Sequence, residues 1–368
     1  MFADTDIAIV GGGPVGLATA IELRRAGHEV VVVDRSEPPI DKACGEGLMP
    51  DGVRVLCDLG VKIGAGDGAA LRGIRYLDGT VRAEARFQQG PGLGIRRTVL
   101  HGAMVARAAE VGVRMLWGLR VRGITERGVM TARGRLRAEW IVGADGLHSR
   151  VRQWAGLDRC GARFRRHGVR RHYRVEPWSD LVEVHWTDDC EAYVTPVSVK
   201  EVGIAFLWSG YQADFDGLLG RFPRLKSRLE GAPISSRDRG AGQLERRSRA
   251  VHSGRVALVG DAAGYRDAIT GEGLSLGFHQ AQALSAAITA ADLDVYERAV
   301  RKLTAVPFLL IRLLLEAERR PWLRRRLIRT LAAEPNLFAR LLAIHARETT
   351  PRSIGAKGLL RLTRGLLG

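Results

Sequence analysis

Six residues near the amino terminus, Gly11-Gly12-Gly13-Pro14-Val15-Gly16, limit what this chain can fold into more than any other segment. They follow an apolar run, Asp6 to Val10, that reads as a buried strand, and they lead into a helical stretch ending at about Gly27. A second strand is expected over Glu29 to Val33, closing at Asp34. Strand, glycine turn, helix and strand in this order form the unit that cradles a dinucleotide. Gly11 permits the tight turn, Gly13 lets backbone approach a pyrophosphate, and Gly16 lets helix and sheet pack closely. The helix start adds amide donors and a positive dipole, and Pro14 suits a first turn, where its missing N–H costs nothing. Asp34 is placed to accept hydrogen bonds from ribose hydroxyls, with Arg35 beside it as a further nucleotide contact. An ordinary glycine-rich loop would not bring strand, helix and acid into this register.

Two later segments narrow the dinucleotide. Ile141-Val142-Gly143-Ala144-Asp145-Gly146-Leu147-His148-Ser149-Arg150-Val151-Arg152 and Arg255-Val256-Ala257-Leu258-Val259-Gly260-Asp261-Ala262-Ala263-Gly264 are each a strand ending in an acidic turn. They resemble the second and third fingerprints of the superfamily of FAD-dependent aromatic hydroxylases and geranylgeranyl reductases. That resemblance implies an α/β fold: a Rossmann-like FAD-binding domain of the glutathione-reductase type, an inserted β-sheet substrate domain and a C-terminal helical segment. It implies FAD as cofactor, Asp261 on the ribityl chain, and Asp145 and Gly146 near the pyrophosphate and the inner face of the cofactor. Arg97 matches the arginine that reaches the FAD chain, and Val121 falls where backbone groups meet the adenine. Asp267-Ala268-Ile269-Thr270-Gly271-Glu272-Gly273-Leu274 opens an apolar-periodic helix to about Ala290, and the resemblance implies that Gly271, Glu272 and Gly273 lie at the flavin pyrimidine edge. An acid such as Glu272 in a first turn also complements the helix dipole without any role in a site.

Asp41-Lys42-Ala43-Cys44-Gly45-Glu46-Gly47-Leu48-Met49-Pro50 falls where the superfamily brings a loop against the flavin, and it looks most like the reductase branch. Cys44 and Gly45 are therefore expected at the cofactor, and Cys44, Glu46 and Tyr193 near the reacting atoms. Cys44 as a small buried apolar residue is the alternative. Residues 161–250 alternate in strand fashion, with strands expected at Leu181 to Trp186 and Val202 to Trp208. Glu191-Ala192-Tyr193-Val194-Thr195-Pro196 lies between them, and Tyr193 and Pro196 match the reductases' aromatic and proline motif only in part. Trp186, Phe206 and Trp208 read as sheet core, and His279 as a packed helix residue. The expected division is an FAD-binding domain over 1–75, 95–160 and 250–300, a substrate domain over 76–94 and 161–249, and a basic helical region over 301–368.

That last region holds 15 Lys/Arg and 4 Asp/Glu, or +11 of the chain's formal +17. Units starting at Pro307, Pro321 and Pro335 repeat with a period of 14 residues, each reading as a short helix with one apolar face, and Arg361 to Gly368 reads as a frayed end. The helices either cap the substrate domain or dock on an anionic membrane. Cys44, Cys57, Cys160 and Cys190 lack metal-ligand spacing, so no metal is expected and the reduced cytoplasm is the expected setting. No apolar stretch approaches the ~20 residues of a membrane span, and no leader pattern precedes the first strand.

The function expected first is an FAD-dependent monooxygenase. It would hydroxylate a lipophilic phenolic, polyketide or terpenoid substrate with reduced flavin and O2, with NAD(P)H or a partner reductase as electron donor. The alternative is a reductase acting on a C=C bond of an isoprenoid or enone. A non-catalytic flavin scaffold or a basic nucleic-acid-binding protein is the reading from other classes. The second is disfavoured because the arginines interleave with leucines and no binding module accompanies them.

Overall fold

The computed structural model describes residues 2–159 and 166–367. Cys160 and the first residues of the expected substrate segment lie outside them. Two strands open the chain, β1 (Thr5–Val10) and β2 (Val30–Val33), the latter four consecutive valines whose β-branched side chains suit a strand buried on both faces. They lie at the centre of a six-stranded sheet ordered 252–253, 256–258, 138–143, β1, β2, 114–116, parallel except for its first edge strand. The helices are α1 (Pro14–Arg25), α2 (Pro50–Asp58), α3 (Arg97–Glu110), α4 (Arg150–Trp154), α5 (Phe215–Gly220), α6 (Pro223–Leu229), α7 (Gly273–Thr289), α8 (Leu293–Glu318), α9 (Pro321–Ala333), α10 (Pro335–His345) and α11 (Gly355–Leu367). Helix α1 packs on α3 and α7, and a three-stranded meander over 121–136 packs on the central sheet at the strand Ala138–Gly143.

Close backbone approach decides where the carboxyl ends of the strands meet. A Cβ on Gly16 would stand 2.0 Å from the Gly11 carbonyl oxygen, and one on Gly11, whose φ is +112°, 2.4 Å from that of Ala144. Both glycines are thus fixed by space, and Gly11 by conformation as well. A Cβ on Gly13 would meet only the Arg97 guanidinium, at 3.6 Å, so this position opens into a cavity instead of the core.

Over the carboxyl end of the central sheet stands a second, seven-stranded sheet ordered 239–242, 166–173, 201–209, 190–198, 182–186, 73–78, 81–86. Glu191 to Pro196 is thus the middle of a strand, Cys190–Ser198, paired on both sides. Phe206 and Trp208 pack under α5 and α6, while Trp186 faces the C-terminal helices. The tail differs from the sequence reading at two places. Pro307 lies inside α8, where the helix runs through it, whereas Pro321 and Pro335 begin α9 and α10 as expected. Residues Arg361 to Leu367, expected to fray, are helical: α11 lies on α9, with a Cβ on Gly365 only 2.2 Å from the Thr330 hydroxyl.

The roof sheet meets the tail through buried ions. Arg166 donates to Glu191 at 2.6 Å and stands 3.3 Å from Asp267, and all three are buried, as is Glu318 at the end of α8. Three carboxylates share one guanidinium, so the arginine holds its proton more firmly while burial raises the acids. Glu191 is pushed up to about 7 by burial, against the pull of Arg166.

Two outcomes follow. Gly16→Val forces α1 off the sheet, and urea unfolding should register a loss of about 3 kcal/mol, the upper range for overpacking, because the obstacle is backbone. The raised Glu191 pKa means the folded chain keeps a proton there between about pH 4.5 and 7 that the unfolded chain has released, so this group's stabilisation falls as pH rises through that window. Glu191→Gln should therefore flatten the decline in urea midpoint between about pH 5 and 7.5, and equal slopes in the two proteins would contradict the assignment.

Candidate flavin and substrate cavity

A continuous cavity of about 1030 Å³ runs between the carboxyl end of the central sheet, the roof sheet and helices α8 to α11. Its first limb is lined by Gly11, Gly13, Pro14, Asp34, Arg35, Cys44, Gly45, Glu46, Arg97, Val121, Asp145, Gly146, Asp261, Gly271 and Gly273, together with Lys42. Segments far apart in the chain thus place most of the expected residues on one surface. Gly16 is not on it, serving the packing of α1 instead, and Tyr193 lines the cavity from the roof.

The glycine loop is held from several sides. The Gly12 N–H donates to Asp34 Oδ2 at 2.8 Å, and Ser36 N–H to Oδ1 at 2.8 Å, which leaves further lone pairs of this carboxylate for ribose hydroxyls. His101 Nε2 donates to the Gly12 carbonyl at 2.7 Å, while its Nδ1 accepts from the Ile40 N–H at 3.4 Å. That pairing calls for neutral imidazole, and burial lowers the His101 pKa accordingly. A Cβ on Gly12 would strike the Trp117 ring at 2.3 Å, so this middle glycine is fixed by an aromatic wall.

Lys42 and Asp261 give the first limb its charge. Lys42 is open to the cavity yet crowded by protein, and that crowding, with the Arg97 guanidinium nearby, lowers its pKa against the pull of Asp34 and Asp261. The Asp261 carboxylate receives no hydrogen bond from protein among the described residues, and burial raises its pKa above the ordinary value. Arg97, the first residue of α3, likewise has an unpartnered Nε; neighbouring Arg96 shares that feature at Nε, but its Nη1 is engaged with Glu201 at 2.8 Å. Cations, an acid and a side-chain-free glycine, all facing one cavity, fit a diphosphate-bearing dinucleotide.

The loop after β2 carries the clearest surprise. Glu46, expected among reacting groups, has a positive φ of 58° and a buried carboxylate whose oxygens are both committed. Oε1 accepts the Arg97 N–H at 2.8 Å and Oε2 accepts from His172 Nε2, while the Glu46 carbonyl accepts the Ile95 N–H at 2.9 Å. Arg170 donates to His172 Nδ1 at 3.1 Å and to Asp41. Glu46 thus clamps the loop between α3 and the roof, a positioning role; His172 and Arg170 were not singled out in the sequence. Cys44 is half-buried on the cavity wall, its sulfur accepting the Glu46 N–H at 3.4 Å. Tyr193 donates to the Ile269 carbonyl at 3.1 Å, and burial raises its pKa, so the phenol stays protonated.

Two expected contacts turn away. Glu272 does not line the cavity: its carboxylate stands 3.6 Å from His345 and 4.0 Å from Arg347, so it ties the start of α7 to the tail. The Asp145 carboxylate is turned to the start of α4, accepting from the Ser149 hydroxyl and the N–H groups of Arg150 and Val151, which leaves it fewer free lone pairs for a cofactor than Asp34 has.

Residues 4–197, just over half of the chain, match the family described as FAD binding domain. Over 179 residues the chain is 36% identical to 6-methylpretetramide 4-monooxygenase of Streptomyces rimosus, covering 42% of this chain and 41% of that protein. Over 125 residues it is 35% identical to menaquinone reductase of Mycolicibacterium smegmatis, covering 33% of this chain and 30% of that protein. The chain therefore spans less than half the length of either relative. A flavoprotein/dehydrogenase from Cytophaga hutchinsonii superposes with a TM-score of 0.84 over 99% of this chain and 98% of that one at 15% identity, a likeness of fold. Glycine cradle, unpartnered Asp261 and family match agree, and this chain belongs to the FAD-binding-domain family.

Proposed function

We propose that the protein is an FAD-dependent monooxygenase that hydroxylates a lipophilic phenolic, polyketide or terpenoid molecule, taking electrons from NAD(P)H or a partner reductase. The observation that carries this reading is the second limb of the cavity. It continues from the first between Tyr76, Val184 and Tyr193 of the roof and leucines of the C-terminal helices, and it offers an apolar ligand a walled path from the surface to the Cys44 loop. The monooxygenase relative, whose name places it on 6-methylpretetramide, favours hydroxylation. One specific observation favours a second reading, reduction of a C=C bond: the Cys44-Gly45-Glu46 loop sits on the cavity wall, and menaquinone reductase is a relative of comparable identity.

Bound FAD supplies the redox chemistry, and the protein orients and shields. Lys42 and Arg97 would hold the diphosphate, Asp34 the ribose, Asp261 the ribityl chain, and Gly271 and Gly273 the pyrimidine edge. Glu46 and His172 keep the Cys44 loop pressed between α3 and the roof, which fixes the space left for substrate and excludes water from it. Tyr193, whose O–H donates to the Ile269 carbonyl, has its phenol oxygen left to accept a hydrogen bond from a polar group of the substrate.

Incubation of the holoenzyme with NADPH and a mixture of lipophilic phenols and enones under ¹⁸O2 separates the two readings by product mass. One labelled oxygen atom is expected; two added hydrogens with no label would replace the first reading by the second. Lys42→Met should weaken FAD by tenfold or more, about 1.5–3 kcal/mol for a lost charge-assisted contact, read by titration calorimetry. Because burial lowers the pKa of Lys42 and a diphosphate would raise it again, FAD binding should take up a proton at alkaline pH, and the variant should lose this uptake.

A further inference from the structure

The far limb of the cavity ends at the protein surface on the C-terminal helices. Leu310, Leu313 and Leu314 of α8 and Leu362 of α11 line it. Leu313 is also 56% exposed, so the lumen meets solvent there. Leu309, one turn earlier on α8, is 55% exposed. On α11, Leu359, one turn from Leu362, is 59% exposed, and adjacent Leu360 is 52% exposed. Apolar side chains this exposed are unusual when they rim an opening whose inner wall is also apolar.

The surrounding charge is of one sign. Arg312 stands beside Leu313, and Lys357 and Arg364 flank the leucines of α11, all exposed and without a carboxylate partner among the described residues. Of the four acids in 301–368, Glu318 is buried, Glu316 pairs with Arg320, Glu334 with Arg361, and Glu348 accepts the N–H groups of Gln88 and Gln89. None offsets the free cations at the opening. A second copy of the chain would bring the same positive face against this one. An acidic protein would engage the arginines without any use for leucines on two helices. A surface that is anionic outside and apolar a few ångströms deeper satisfies both.

We propose that the face formed by α8 and α11 docks on an anionic lipid bilayer, and that a lipophilic substrate passes from the bilayer into the cavity between these helices at Leu313, without crossing water. The second half of this inference rests on the lipophilic-substrate reading, and docking does not. Helix α11 forms one wall of the portal because its glycines let it lie close. Gly365 meets Thr330 of α9, and Gly358 packs against Ile354 and Leu337.

The test uses FAD-loaded full-length protein. Sedimentation with vesicles of phosphatidylglycerol and phosphatidylcholine should show at least tenfold stronger binding than with phosphatidylcholine alone, weakened by salt. Leu309→Glu and Leu359→Glu, neither on the cavity wall, should each reduce that binding severalfold with flavin content unchanged. Leu313→Trp should keep vesicle binding while slowing the change in flavin absorbance caused by pentadecylphenol carried in the vesicles. Equal binding to both vesicle types overturns the proposal. So does binding to polyglutamate as tight as to the anionic vesicles that is insensitive to the glutamate variants, which points to an acidic protein. An undiminished rate in Leu313→Trp overturns the portal. Pentadecylphenol added without vesicles provides the separate control: no flavin response by either route would defeat the lipophilic-substrate reading, while a response without vesicle binding would defeat docking alone.

Discussion

The contact on which the structure turns is one where side chains are missing. Gly16 lies against the carbonyl of Gly11, and Gly11 against that of Ala144, so α1, β1 and the strand Ala138–Gly143 converge more closely than any Cβ would permit. This convergence aims the first helix at the space above the sheet and leaves Gly13 bare toward it. The limb that receives the cofactor is what remains after the surrounding glycines have been packed to their limit. Trp117 and His101 add rigidity from outside the sequence motif, one blocking any substituent at Gly12 and the other holding its carbonyl.

A second joint connects floor to roof. Glu46 sits between two glycines in a backbone conformation that few side chains adopt, and it is held there by the amide of Arg97 and the ring of His172. The loop that carries Cys44 is consequently not free to drift, and its distance from the roof is set by a hydrogen bond buried from water. Buried Arg324 of α9 makes the corresponding tie between the tail and the roof, pairing with Asp78 at 3.0 Å and donating to the Thr187 carbonyl at 2.7 Å. The cavity thus has three walls, central sheet, roof and helical tail, joined by polar contacts at their edges, charged in the first limb and apolar in the second.

Local order was legible in the chain. Glycine spacing, the valine strand and the acidic turns at Asp145 and Asp261 gave the cofactor domain, because each depends on neighbours a few residues away. Contacts made across long separations were not. His172 reaches Glu46 from the roof, Trp117 reaches Gly12 from the edge of the sheet, and no periodicity announces either. Glu272 and Asp145 carried the right residue type at the right place, yet one carboxylate went to the tail and the other to a helix cap. The period of 14 found two of three helix starts. It failed at Pro307 because the preceding turns of α8 are packed on α7, and tertiary contacts carry the helix through the proline.

The account as a whole depends on a flavin dinucleotide lying over Gly13. At this position a side chain meets no backbone, only the mobile end of Arg97, so Gly13→Val should fold as the parent does and differ only in the cradle. Titration calorimetry of FAD into the two apoproteins, with circular dichroism to check folding, is the most direct measurement. Saturable one-site binding in the parent and none in the equally folded variant is the predicted result; no heat in the parent, or undiminished affinity in the variant, would contradict the account.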